Sequence, residues 1–134
     1  MNTLEKCGKT KNKEGTKMKE TILSIAKWHE ETFPDATLEG QLQKYQEEQH
    51  EWVESDYTDI TELADMFIVA CGIARFDIQE GVFYMYDIHA WLDDNGVNVS
   101  EFIEAVNKKM EKNRKRVWNK TGNGTYHHKN GIED

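Results

Sequence analysis

Residues 63–74 read LADMFIVACGIA, a run that is apolar on nearly every side. A helix made of such a run has no face suited to water, so it must be covered all round. That requirement makes it the central element of a helical bundle. One proline in 134 residues and 31% charged residues fit the same conclusion, because a β-sandwich needs turn signals every ten residues or so. The length suffices for one hydrophobic core and is too short for two ordinary domains. The expected fold is all-α, a compact antiparallel bundle of about five helices.

Helical spacing places the other elements. Ile22, Ile25, Ala26, His29 and Phe33 share a stripe that runs from about Lys19 and stops at Pro34. A second helix is predicted over 37–55, on Leu38, Leu42, Tyr45, Gln49 and Trp52, and a third over 59–75 around the apolar run. Within 76–98, Val82, Phe83, Tyr84, Met85, Tyr86, Ile88, Trp91 and Leu92 predict another helix, closed by the turn Asp94-Asn95-Gly96. Its aromatic density suits either a seal over the core or a subunit contact. The last helix is predicted over 100–118, on Phe102, Ile103, Val106, Met110 and Val117, followed by a glycine-rich tail. Residues 1–17 alternate Lys with Gly, Thr and Asn and read as a disordered basic tail, leaving 18–134 as the folded domain.

The net charge of −8 argues against a chain that coats nucleic acid. The sum hides a division, because residues 1–19 carry +4, residues 20–107 carry −17 and residues 108–134 carry +5. Two cysteines, Cys7 and Cys71, offer neither a disulfide framework nor a Cys-rich zinc site. With no signal-like or membrane-length apolar segment, the expectation is a reduced, cytoplasmic protein without a membrane partner.

Chemistry is concentrated in the acidic body. Glu48 and Glu51 lie three apart on the second helix, and Glu62 and Asp65 three apart on the third, so each pair shares a helical face. Spacing alone carries little weight, since a chain this acidic gives about five such pairs by chance. Asp59 and Glu62 even read as a capping box. Register sets the four apart: in an antiparallel hairpin centred between Asp56 and Tyr57, Glu51 faces Glu62 and Glu48 faces Asp65. Four carboxylates on one partly buried seam repel unless neutralised. Hard divalent cations do this, with Mg²⁺ or Mn²⁺ suited to an all-carboxylate set.

Lys109, Asn113 and Arg116 are spaced i, i+4, i+7 on the last helix. A cation, an amide and a guanidinium beside such a cluster make a phosphate clamp. A basic C-terminal turn complementing the helix dipole accounts for the same pattern.

At these residues the chain resembles the MazG-type all-α nucleoside triphosphate pyrophosphohydrolases. Their Lys-x-x-Glu-Glu-x-x-Glu pattern is matched by Lys44, Glu47, Glu48 and Glu51, and their Glu-x-x-Asp by Glu62 and Asp65. A Lys-x-x-x-Asn-x-x-Arg-x-Trp stretch seen in some members is matched by Lys109, Asn113, Arg116 and Trp118. The likeness covers roughly residues 22–75 and 100–128. It departs at the short connection between Glu51 and Glu62, and residues 76–98 match nothing in the pattern.

The resemblance implies Mg²⁺-dependent hydrolysis of a nucleoside triphosphate to the monophosphate and pyrophosphate. It implies metal held by Glu48, Glu51, Glu62 and Asp65, and β and γ phosphates bound by Lys109, Asn113 and Arg116. Glu47 would orient or deprotonate the attacking water, Trp28 would stack on the base, and His127 and His128 would close over the phosphates. A homodimer or homotetramer is implied as well.

Two other readings stand beside this one. A di-iron carboxylate bundle draws on Glu47 and His50 as one Glu-x-x-His, although such sites need two. A non-enzymatic acidic helical module would use the aromatic segment 82–92 to bind a partner.

Overall fold

The computed structural model describes residues 17–120 and 126–128. The basic tail expected over 1–17 lies, apart from Lys17, outside the described residues. Five helices follow one another: α1 (Ile22–Thr32), α2 (Leu38–Glu54), α3 (Ile60–Phe76), α4 (Ile78–Asp94) and α5 (Val99–Lys115). The all-α bundle is as expected from the sequence.

The apolar run is the hub. Ten residues of α3, from Leu63 to Ala74, are buried, and the dominant helix–helix contacts join it to α1, α2, α4 and α5. Around it, Ile25, Tyr45, Trp52, Ile88, Val106 and Met110 are sealed from solvent to within 2%. Burying large side chains of this kind stabilises by about 1.5–3 kcal/mol each.

Short polar residues fix where the helices begin. Thr21, Thr37, Asp59, Asp77 and Asn98 each accept a hydrogen bond from a first-turn N–H through their side chains. Asp77 has a double duty, ending α3 and capping α4 with no intervening loop. The helix expected inside 76–98 therefore starts at Ile78. The close approach that follows needs Gly81, since a Cβ there would lie 2.6 Å from that of Ala74.

The α2–α3 turn fixes the register of the seam. Asp56 and Tyr57 both have positive φ, 61° and 62°, uncommon for residues bearing a Cβ. The Asp56 N–H donates to Val53 O and the Tyr57 N–H to Trp52 O, the paired bonds of a Schellman ending. The Tyr57 ring packs edge-on to Trp52 and stacks on Trp91. Ser55 completes the turn, its hydroxyl donating to Trp52 O and accepting from the N–H groups of Thr58 and Asp59.

At the C-terminus the structure departs from the expected helix over 100–118. Helix α5 ends at Lys115, and Arg116 is extended, with φ −80° and ψ 153°. Beyond it, β1 (Trp118–Lys120) pairs antiparallel with β2 (Tyr126–His128). Asn113 helps make the exit, since its carbonyl accepts from both the Arg116 N–H and the Trp118 Nε1. Among the described residues no helix is long and apolar enough to cross a membrane.

Candidate metal centre

The hairpin brings Glu48 of α2 together with Glu62 and Asp65 of α3. One carboxylate oxygen from each lies within 4.8 Å of the other two. Glu51 stands nearer the turn, exposed at the rim, and is in hydrogen-bond contact with Glu62. The facing pairs are those the hairpin register predicts. Asp59 caps α3 through the N–H and hydroxyl of Thr61, while the Glu62 side chain meets Glu48 and Glu51.

The cluster is electrostatically unresolved. Glu48 is only 12% exposed at its side chain and Asp65 23%. Burial, followed by the charge of Asp65, pushes the Glu48 carboxyl far above the usual carboxylate range. Glu62 is raised to about 7, by burial first and then by its contact with Glu51. Asp65 is raised to about 7, chiefly by burial, with the cation of Lys44 opposing. Glu48 Oε1 and Glu62 Oε1 are buried without a hydrogen-bond partner among the described residues. Orphaned acceptors of this kind cost free energy. Three hard oxygen donors, excess negative charge and two unpaired lone-pair sites fit a hard divalent cation.

Cations approach from two helices. Lys44 Nζ lies 3.7 Å from Glu48 Oε2 on α2. Lys109 Nζ, on α5, lies 3.2 Å from Asp65 Oδ1, with its side chain 8% exposed. Asn113 is buried, its amide reaching Met110 Sδ at 3.8 Å and its Oδ1 accepting from the Arg116 guanidinium at 3.2 Å. Arg116 thus does not share the helical arc of Lys109 and Asn113, because the helix ends first. Its side chain folds back to Asn113, over the Trp118 ring, and its charge is felt at Asp65.

The remaining predicted site residues lie elsewhere. Glu47 is exposed and outside the three-carboxylate group. Trp28 is 7% exposed and packs edge-on to Phe33 and Trp118 within the core. The His127 and His128 side chains lie outside the described set. His50 is exposed, its Nε2 lying 3.1 Å from Glu54 Oε2, so the single Glu-x-x-His contributes no histidine to the carboxylate group.

Sequence reasoning placed His29 on an apolar stripe and missed its partners. His29 is 4% exposed. Its Nδ1 lies 3.0 Å from an Arg75 guanidinium nitrogen, and its ring is hydrogen-bonded to Gln41. Arg75 also donates to the carbonyls of His29, Phe33 and Pro34. Burial, followed by the Arg75 charge, lowers His29 to about 4, so the ring is neutral and accepts through Nδ1.

The chain is similar to a dATP/dGTP diphosphohydrolase of Salmonella phage PMBT28, at 29% identity over 104 residues. The alignment covers 78% of this chain and 29% of the phage protein. No protein-family model matches. No solved structure matches either.

Proposed function

We propose that this chain hydrolyses a nucleoside triphosphate to the monophosphate and pyrophosphate, with Mg²⁺ as cofactor and Mn²⁺ as a substitute. The observation that carries the reading is the half-buried group of Glu48, Glu62 and Asp65, with orphaned oxygens, beside the ammonium of Lys109. The resemblance in the Glu-x-x-Glu and Glu-x-x-Asp pattern supports it, as does the similarity to the phage diphosphohydrolase.

Water attacks the α phosphorus, the bond from that phosphorus to the α–β bridging oxygen breaks, and pyrophosphate leaves. Such transfer depends on positioning and charge neutralisation more than on covalent help. Glu48, Glu62 and Asp65, with Glu51 at the rim, would hold the divalent metal, which would supply Lewis acidity and lower the pKa of a water. Lys109 and Arg116 neutralise the β and γ phosphates, and Asn113 orients the Arg116 guanidinium. Glu47, exposed on the turn of α2 that carries Glu48, accepts the proton of the attacking water.

We place the enzyme in the cytoplasm and assign it a homo-oligomeric state. The exposed side of α4, with Ile78, Phe83 and Tyr86 at 68%, 61% and 72% exposure, supports pairing with a second copy. The same surface is what an acidic interaction module would use, so activity decides between the two.

The test is pyrophosphate release from a panel of natural and modified nucleoside triphosphates, starting with dATP and dGTP, in Mg²⁺ or Mn²⁺. Release that disappears with chelator supports the reading. A protein that turns over none of the panel, with no thermal response to millimolar metal, refutes it.

A further inference from the structure

The position of Lys109 conflicts with the role the proposed function gives it. Its Nζ lies 3.2 Å from Asp65 Oδ1, within the carboxylate group, and its side chain is 8% exposed. An ammonium in that place offsets part of the negative charge that a divalent cation would neutralise. Turned inward to the half-buried Asp65, the ammonium presents little of itself to a phosphate arriving from solvent.

Resting on the metal-dependent reading above, we infer that Lys109 is a resident counter-ion of the carboxylate cluster, and that divalent metal displaces it from Asp65 and so releases it to bind phosphate. Metal then precedes triphosphate, and the anion-binding group is presented only once the metal is in place.

The surroundings favour Lys109 over Lys44 as the mobile cation. Lys44 sits one turn before Glu48 on the same helix, is 27% exposed, and is 3.7 Å from its partner. It can move toward solvent while remaining beside the seam. Lys109 comes from α5 and spans the gap to α3, so its ammonium is the group in competition for Asp65. A lysine suits the task, being a compact charge on a flexible four-carbon stem, where arginine would hold the carboxylate in a rigid fork. A cleft of about 390 Å³ adjoins this residue, its lining including Lys108, Lys109 and Lys112 together with Glu101 and Glu104. It gives the released side chain room, among two other lysines and two glutamates.

Acetylation of the folded protein, read by peptide mass spectrometry, tests the exchange directly. Lys108, 72% exposed, is the internal standard. Without metal, Lys109 is expected to resist acetylation while Lys108 reacts. Saturating Mn²⁺ should bring Lys109 toward the reactivity of Lys108, and Ca²⁺ with a non-hydrolysable triphosphate should protect it again. As a second arm, Lys109→Met, close in shape, should bind Mn²⁺ without nucleotide roughly tenfold more tightly, because a competing charge is gone. Calorimetry of wild-type protein separates the two possible failures. If Mn²⁺ binds and Lys109 stays protected, or if Lys109→Met binds Mn²⁺ no more tightly, the exchange is wrong and the metal centre stands. If Mn²⁺ does not bind at all, the proposed function falls and the exchange falls with it.

Discussion

Two polar clusters are buried along the α2–α3 hairpin, and they are resolved in opposite ways. The pair Gln41–Gly72 lies two helical turns from the pair Glu48–Asp65, roughly 10 Å along the axis. Near the first pair, His29 accepts from Arg75 and hydrogen-bonds Gln41, and Arg75 uses its remaining donors on the carbonyls at the end of α1. Near the second, three carboxylates face one another and two of their oxygens have no partner among the described residues. Both clusters are costly to bury. The first recovers that cost from complementary groups in the chain itself, whereas the second retains uncompensated negative charge. A polar cluster satisfied within the chain is structural; one with charge of a single sign left over calls for an ion from outside.

The contrast predicts opposite consequences of substitution. Asp65→Ala should lower turnover by ~10³-fold, the scale of losing preorganised charge stabilisation, yet change the melting temperature little, since relief of repulsion with Glu48 offsets loss of the Lys109 ion pair. Steady-state pyrophosphate release and thermal melting measure both effects. Arg75→Ala should do the reverse, destabilising the fold by about 3 kcal/mol as the His29 ring and the carbonyls of Phe33 and Pro34 lose their donor. The stabilising effect of Mn²⁺ on that variant's melting should persist. A loss of metal response in Arg75→Ala would merge the two clusters into one functional unit.

A smaller effect is expected at Gly72, where a Cβ would lie 2.8 Å from the His29 ring and 3.3 Å from Gln41 Oε1. Alanine raises helix propensity by about 1 kcal/mol. The ring is fixed by Arg75, Trp28 and Phe33 and cannot give way cheaply, so Gly72→Ala should still destabilise by about 1–2 kcal/mol in denaturant melts.

The mildest separation is by pH. Glu62 and Asp65 are raised to about 7 from 4.5 and 3.8, so the folded protein binds more protons than the unfolded chain between those limits. Metal-free stability from the seam is therefore present at low pH and is lost as pH rises through about 7. His29 is lowered from 6.5 to about 4; its contribution is present above 6.5 and is lost as pH falls toward 4. Melting temperature against pH should lose part of its fall toward neutral pH in Asp65→Asn, and part of its acid-side fall in His29→Phe.

Legibility in the sequence followed the range of the interactions. The hairpin register was readable because it depends on one period and one centre of symmetry, and that centre coincides with the left-handed pair Asp56 and Tyr57. The carboxylate group followed from the same geometry. The start of α4 was not readable, because Ile78, Val82, Phe83 and Tyr86 remain exposed and blur the amphipathic period, while Asp77 serves two helices at once. The end of α5 was missed for another reason: Arg116 fits the helical spacing, but bonds to the Asn113 carbonyl and the pairing of 118–120 with 126–128 end the helix. The His29 node depends on Arg75 reaching 46 residues back along the chain, which no local pattern encodes.

The central claim is that the Glu48, Glu62 and Asp65 seam is a divalent-cation site. Calorimetric titration of Mn²⁺ into nucleotide-free protein, wild type beside Asp65→Asn, tests it most directly. Saturable binding by the wild type, abolished in Asp65→Asn while the helical fold persists, is the predicted result. Absence of binding at millimolar Mn²⁺, or equal binding by both proteins, would contradict it.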